Sequence, residues 1–206
     1  MQSNPKCWFS VAVLVLLAIS AASVAAYQQP LSPESVREAY FLGRQTEQAD
    51  AFLRRYTQAP LILLDQKIDV TRIELLTPYA QIVRASRVDM ANQNAVDVDQ
   101  EYPARSLPLL LRVWFYPPAS YAGPFDGFDA LVRKSTVAVS QLHVLAPQQS
   151  TLTTLYSSSK DGHWPNGLEL DLTFDAKQFR ASPVQIVISA PNGQHAEAAF
   201  NLSTLK

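Results

Sequence analysis

Carboxylates and a histidine in segments predicted as loops are the residues closest to hydrolytic chemistry in this 206-residue chain. Asp126 and Asp129 lie in one segment, and Asp161 and His163 in another. Such groups can serve as general acids and bases, and loops on a rigid scaffold carry many catalytic residues. The sequence has no G-x-S-x-G elbow, and the S-x-x-K match at Ser157–Lys160 lacks its partner motifs. A hydrolase with a loop-borne site is therefore one hypothesis.

Metal chemistry has weaker support. Three carboxylates stand at alternate positions, as at the start of a calcium loop: Asp97, Asp99 and Glu101. An EF-hand loop needs glycine at its sixth position and glutamate at its twelfth, where this chain has Tyr102 and Pro108. The three histidines are scattered without the spacing of zinc ligands. We predict a solvated acidic loop, no metal site and no cofactor.

Aromatic residues on and after one strand form the best candidate binding surface. In the strand predicted over 108–116, Leu109, Leu111, Val113 and Phe115 share one face, and Arg112, Trp114 and Tyr116 share the other. Exposed rings would suit a binding platform, because aromatic side chains are enriched at interfaces. The alternative is that the predicted helices cover them. The candidate ligand- or partner-binding residues are Trp114, Tyr116, Tyr121, Phe125 and Phe128.

The first elements that must position these residues are helices. Ser32 and Pro33 suit a helix start, and apolar residues at helical spacing predict two short helices, or one kinked helix, over 33–57. The period then changes to two, with a shift of phase near Thr71 and Arg72 that is typical of a bulged strand. We predict a further strand over 79–84 and a polar loop over 87–106.

The second half of the chain alternates apolar and polar residues as strands do. Alternation over 168–175 is the strictest, and Asn192-Gly193 between two alternating segments predicts a hairpin. Further strands are predicted over 136–145 and 152–156. Seven or eight short strands predict a mainly β fold, an antiparallel β-sandwich in which an immunoglobulin-like topology is plausible. The disulfide of true immunoglobulin domains is impossible, because the chain has one cysteine.

The first 26 residues have the features of a secretory signal peptide. Lys6 precedes an apolar core, and Ser23, Ala25 and Ala26 provide small residues for cleavage. A retained membrane anchor is the alternative. Cleavage after Ala25 or Ala26 would remove Cys7, the only thiol, and place the protein in the periplasm or outside the cell with no membrane span. The remaining chain is predicted as a helical segment over 27–60, packed on a sandwich domain over 61–206.

Charge and a resemblance complete the sequence argument. The formal net charge is −1 with acids and bases interspersed, so we predict no nucleic-acid partner. "LSPESVREAYFLGRQ" after the leader, with "SAPNGQHAEAAFNLSTL" near the end, resembles a family of uncharacterised exported bacterial proteins. That resemblance implies export, but the family has no assigned activity, so the resemblance implies no functional residues. Together these observations favour a non-catalytic protein that binds a protein or polysaccharide of the cell envelope; a hydrolase and a structural assembly subunit are the alternatives.

Overall fold

The computed structural model describes Tyr27 and residues 30–62, 68–91, 107–159, 162–191 and 193–206. Its strands are β1 (Thr57–Gln58), β2 (Leu61–Ile62), β3 (Asp69–Leu76), β4 (Leu109–Tyr116), β5 (Thr136–Ser140), β6 (Val144–Leu145), β7 (Gln149–Ser159), β8 (Gly162–Phe174), β9 (Pro183–Ser189) and β10 (His195–Asn201). Its α-helices are α1 (Pro33–Gly43), α2 (Thr46–Leu53), α3 (Pro78–Ala91) and α4 (Phe125–Arg133). Single 3₁₀ turns lie at Arg54–Tyr56, Ala176–Gln178 and Leu202–Thr204.

The described strands form two antiparallel sheets of five strands each. Sheet 1 has the order β1-β3-β4-β8-β7, and sheet 2 has the order β2-β10-β9-β5-β6. When β3 to β10 are lettered A, B, C, C′, D, E, F and G in chain order, sheet 1 contains A-B-E-D and sheet 2 contains G-F-C-C′. This is the immunoglobulin arrangement. The predicted mainly β fold is therefore confirmed, and the topology is immunoglobulin-like.

One hydrophobic core lies between the two sheets. Alternate residues of β4, such as Leu111, Val113 and Phe115, are fully buried and contact a cluster that includes Ile186 and Phe200 of sheet 2. Burying one large apolar side chain contributes about 1.5–3 kcal/mol, which allows a core of this size to hold the fold without a disulfide.

Two local features that the sequence predicted are present. The pairing of β3 with β4 shifts register between Val70 and Arg72, as a bulge there requires. β9 and β10 form the predicted hairpin, with His195 opposite Ser189. Gly193 in its turn has φ +82°, a conformation that glycine adopts without strain.

The helical segment begins as predicted, and its first helix packs against a further helix, α3. The Ser32 hydroxyl accepts a hydrogen bond from the Ser35 amide at 3.2 Å, so Ser32 is the N-cap of α1. Val36 and Tyr40 of α1 pack in a second apolar cluster with Tyr79, Ile82 and Val83 of α3. The predicted helices over 33–57 are therefore present, and α3 covers their apolar face.

The prediction of a strand over 79–84 is wrong, because this segment lies in α3. Thr77 marks its start: the Thr77 hydroxyl accepts from the Ala80 amide at 3.2 Å, and Pro78 follows in the first helical position. Tyr79, Ile82, Val83 and Ser86 are buried at spacings of three and four residues, which is the helical period. Thr77-Pro78 had the features of a turn because a turn and a helix N-terminus use the same residues.

Other boundaries also differ from prediction. The helix α4 replaces part of the loop predicted after β4, and the segment predicted as one strand over 136–145 is divided into β5 and β6. Residues 87–91, predicted as the start of a polar loop, continue α3, and the rest of that predicted loop lies outside the described residues. The leader over 1–26 and the acidic group at 97–101 lie outside the described residues.

Residues early in the chain form hydrogen bonds with residues late in it. The Tyr56 hydroxyl donates to the Lys206 carbonyl at 2.9 Å and accepts from the Lys206 amide at 3.0 Å. The Gln58 side chain donates to the Ala199 carbonyl at 2.5 Å and accepts from the Ala199 amide at 3.3 Å. Tyr27 donates to the Ala176 carbonyl at 2.7 Å. Contacts between residues about 150 positions apart thus join the helical segment to the sandwich.

Candidate functional site

Trp114, the centre of the predicted aromatic surface, lies beneath an arginine. It is on the outer face of sheet 1, yet only 4% of its surface is exposed. The Arg72 guanidinium carbon lies 3.7 Å from the ring centroid and the Arg112 carbon 5.7 Å from it. A cation stacked on an indole is a favourable contact that occupies the ring face. The Arg72 guanidinium therefore covers one face of this ring.

Charged residues around Trp114 form paired contacts across four elements. Arg112 holds Asp171 with two hydrogen bonds of 2.7 Å, and its Nε lies 3.2 Å from Glu169. Buried Glu74 lies 2.5 Å from Arg84 of α3 and 3.7 Å from Arg72. The hydrogen bond to Asp171 raises the pKa of Arg112, so this cation stays charged. The outer face of sheet 1 is therefore internally neutralised.

Tyr116 packs flat on a glycine of the neighbouring strand. A Cβ at Gly167 would lie 2.7 Å from the Tyr116 ring and 2.9 Å from the Phe115 carbonyl oxygen. The ring therefore takes the space that a side chain would fill, a known way of stabilising a glycine in a sheet.

We expect Gly167→Ala to lower the free energy of unfolding by about 1–2 kcal/mol, because the added methyl group displaces Tyr116 and strains the β4–β8 ladder. Urea unfolding of the single variants and of Gly167→Ala/Tyr116→Ala measures the coupling. The loss at Gly167 should shrink when the ring is absent. Equal losses with and without Tyr116 would show that the ring does not fill this space.

The other three predicted aromatic residues anchor α4. Phe128 is fully buried, and its ring centroid lies 6.0 Å from that of Tyr121 and 5.7 Å from that of Phe125. The Tyr121 hydroxyl donates to the Pro124 carbonyl at 3.0 Å, just before the helix begins. The structure thus brings Tyr121, Phe125 and Phe128 together, while Trp114 and Tyr116 lie on the outer face of sheet 1. A binding role for these five residues stays a prediction.

Two of the four groups proposed for hydrolysis have local partners, and two of the carboxylates lie in helix α4 rather than in a loop. Asp129 forms an ion pair with Arg133 one turn along α4 at 2.6 Å, and Asp126 lies in the first turn of that helix. The His163 Nδ1 lies 2.8 Å from the Ser158 hydroxyl, and Asp161 lies outside the described residues. Within the described ranges, no three His, Cys, Asp or Glu side chains are grouped to hold a metal ion.

An open groove of about 610 Å³ lies between α3 and the outer face of sheet 1. Its apolar lining includes Leu76, Val88 and Leu110, and its two cations are Arg84 and Arg112. Arg84 is already paired with the Glu74 carboxylate, and Arg112 with the Asp171 carboxylate. The groove therefore offers an apolar surface without an unpaired charge from these two arginines.

The hairpin of β7 and β8 extends past the end of β4 and carries two exposed aromatic rings that were not among the predicted binding residues. β4 pairs with β8 only as far as Phe115 opposite Leu168, so the preceding part of β8 pairs, among the described strands, with β7 alone. We call residues 156–159 and 162–165 the aromatic arm. Tyr156 is 62% exposed and Trp164 is 55% exposed on it. The sequence feature that could have identified this arm is an aromatic residue on each side of a polar turn.

The comparisons with known proteins add no assignment. Among the residues described, no helix combines the length and apolar character needed to cross a membrane. No protein-family model, curated protein or solved structure matches this chain.

Proposed function

We propose that this chain is an exported, non-catalytic protein that binds a partner protein in the cell envelope through the aromatic arm. The observation that carries the proposal is the exposure of Tyr156 and Trp164 on a hairpin that extends beyond the five-stranded sheet. Tyrosine and tryptophan are the residues most enriched among those that dominate binding energy. The leader-like first 26 residues support export to the periplasm or the exterior.

The local chemistry favours a protein partner over a catalytic role. Ser157 and Ser158 stand opposite Trp164 and His163, which places hydroxyl and imidazole groups beside the aromatic rings. An apolar centre with polar groups around it is the usual composition of a protein-binding surface. The same composition can bind a sugar ring, so a polysaccharide partner is an outcome that the experiment must separate.

We expect Tyr156→Ala/Trp164→Ala to weaken capture of the envelope partner by at least about tenfold without loss of stability, because both side chains are exposed. Affinity capture from an envelope fraction measures binding of the partner protein. A glycan array measures polysaccharide binding, and a thermal melt measures stability. Leu142→Ala/Val144→Ala is the matched control, since Leu142 just before β6 is 79% exposed and Val144, the first residue of β6, is 70% exposed.

Three results would contradict the proposal. Equal capture by the arm variant and the control would remove the arm from binding. Glycan binding that depends on the arm, without protein capture, would identify a polysaccharide partner. If the protein turns over a substrate in a broad hydrolase screen and His163→Ala abolishes that turnover, the result would favour the enzyme hypothesis. N-terminal sequencing of the native protein tests export separately and should show cleavage after Ala25 or Ala26.

A further inference from the structure

The two sheets have four edges, and the strands on them differ greatly in length. Among the described residues, β1 and β7 bound sheet 1, while β2 and β6 bound sheet 2. β1, β2 and β6 each have two residues, whereas β7 has eleven. Very short edge strands are one means by which proteins prevent pairing with other chains. The long edge strand β7 lacks this protection.

Two further protections of an edge strand, charged residues and proline, are also missing from β7. "QSTLTTLYSSS" contains no charged residue, no proline and no glycine. Gln149, Ser150, Thr151 and Thr153 are exposed, and among the described strands β7 pairs with β8 alone. An open, uncharged edge with many β-branched residues is a template for a further strand.

A bulge limits the regular part of this edge to seven residues. The pairing of β7 with β8 shifts register between Leu155 and Tyr156, and bulges bend and twist the strand pair. The regular segment is therefore Gln149–Leu155, and its central residue is Leu152. Leu152 is partly buried against the core at the rim of the sandwich, opposite Leu170.

We propose that two copies of this chain pair through Gln149–Leu155 of β7, antiparallel about a two-fold axis at Leu152. Such an axis is perpendicular to the sheet, so the core-facing sides of both copies lie on the same side of the joined sheet. Two residues that stand opposite each other across the axis therefore point to the same side of that sheet. Leu152 then lies opposite Leu152 of the second copy, and Thr151 lies opposite Thr153. This proposal goes beyond the proposed function and does not depend on the aromatic arm.

The composition of the segment favours a second copy as the occupant. Identical strands face each other across a two-fold axis, so any charge near the axis would be repelled by its own copy. Gln149–Leu155 has none. Pairing would give hydrogen-bond partners to the backbone groups on the open side of β7. It would also cover part of the Leu152 side chain in each copy. The result would be one continuous ten-stranded sheet.

The first test changes charge at the edge. Light scattering of the mature protein over a range of concentrations should show a dimer. Thr151→Lys/Thr153→Lys should weaken it at least about tenfold, since lysines would face lysines across the axis. Asp171 and Glu169 stand opposite these positions within the chain, so the variant should fold. Gln178→Lys/Gln185→Lys adds the same charge at exposed positions elsewhere and should leave the dimer unchanged.

The second test determines the register. The mature protein as predicted has no thiol, so Thr151→Cys and Thr153→Cys each introduce a single one. A mixture of the two variants should form disulfide-linked dimers on mild oxidation, whereas each variant alone should not, because its cysteine would face a threonine. A wild-type protein that is monomeric at every soluble concentration would overturn the proposal. Linkage of each variant alone at the rate of the mixture would also overturn it.

Discussion

Gly43→Ala is expected to lower the free energy of unfolding by about 3 kcal/mol, although alanine is the better helix former. Gly43 is the last residue of α1 and is buried against α3. A Cβ there would lie 2.4 Å from the Val83 carbonyl oxygen and 2.7 Å from the Ser86 Cβ. The two helices would have to separate to admit it, because a backbone carbonyl cannot rotate away. The Ser86 hydrogen bond to the Tyr40 carbonyl would then weaken.

Helix propensity and packing predict opposite signs for this substitution, so denaturant unfolding decides between them. Propensity alone would stabilise the protein by about 1 kcal/mol. Gly127→Ala in α4 is the matched control, since the only atom within 3.5 Å of its Cβ would be the Tyr121 hydroxyl oxygen, at 2.8 Å, which is the tip of a side chain rather than backbone. We expect little loss there. Stabilisation by Gly43→Ala would show that α1 and α3 are less closely packed than described.

Removing the Arg112 side chain is expected to cost about 2–3 kcal/mol of unfolding free energy. Arg112→Ala leaves Asp171, Glu169 and Glu74 with fewer partners in a partly buried site, and unpaired buried charge is costly. It also removes one of the two cations near Trp114. Intrinsic tryptophan fluorescence should shift toward that of a solvated indole in the folded variant.

An exposed ion pair provides the comparison. Arg133→Ala removes a partner of Asp129 on the surface of α4, where solvent screens the ion pair and leaves it little effect on stability. Chemical denaturation of both variants should separate the two costs by more than the experimental error. Equal costs would mean that the Arg112 network is as solvent-screened as the Arg133 pair.

The sandwich could be predicted because strand periodicity is a local property. Residues 168–175 alternate strictly, and Leu168, Leu172 and Phe174 are buried as that alternation predicts. The bulge near Thr71 could also be located, since one extra residue reverses the phase of every side chain after it. Glycine and proline at turns supplied most of the remaining boundaries.

The helix α3 and the environment of Trp114 could not be predicted in the same way. Residues 79–84 have apolar residues compatible with either period over so short a stretch, and the packing of α1 against them decides. Trp114 was assigned correctly to the outer face, but Arg72 covers it through a contact between strands whose register a single sequence does not specify. The aromatic arm depends on where β4 ends, which is likewise a tertiary property.

The bonds that join Tyr27, Tyr56 and Gln58 to residues 176–206 also constrain how quickly the native state can form. These pairs are separated by roughly 140–150 positions, so they close only after a long loop has been ordered. All-β domains with such distant pairings fold in milliseconds to seconds. Slow folding of this kind would suit the export proposed above, because a chain that has not yet folded can be threaded through a membrane translocase.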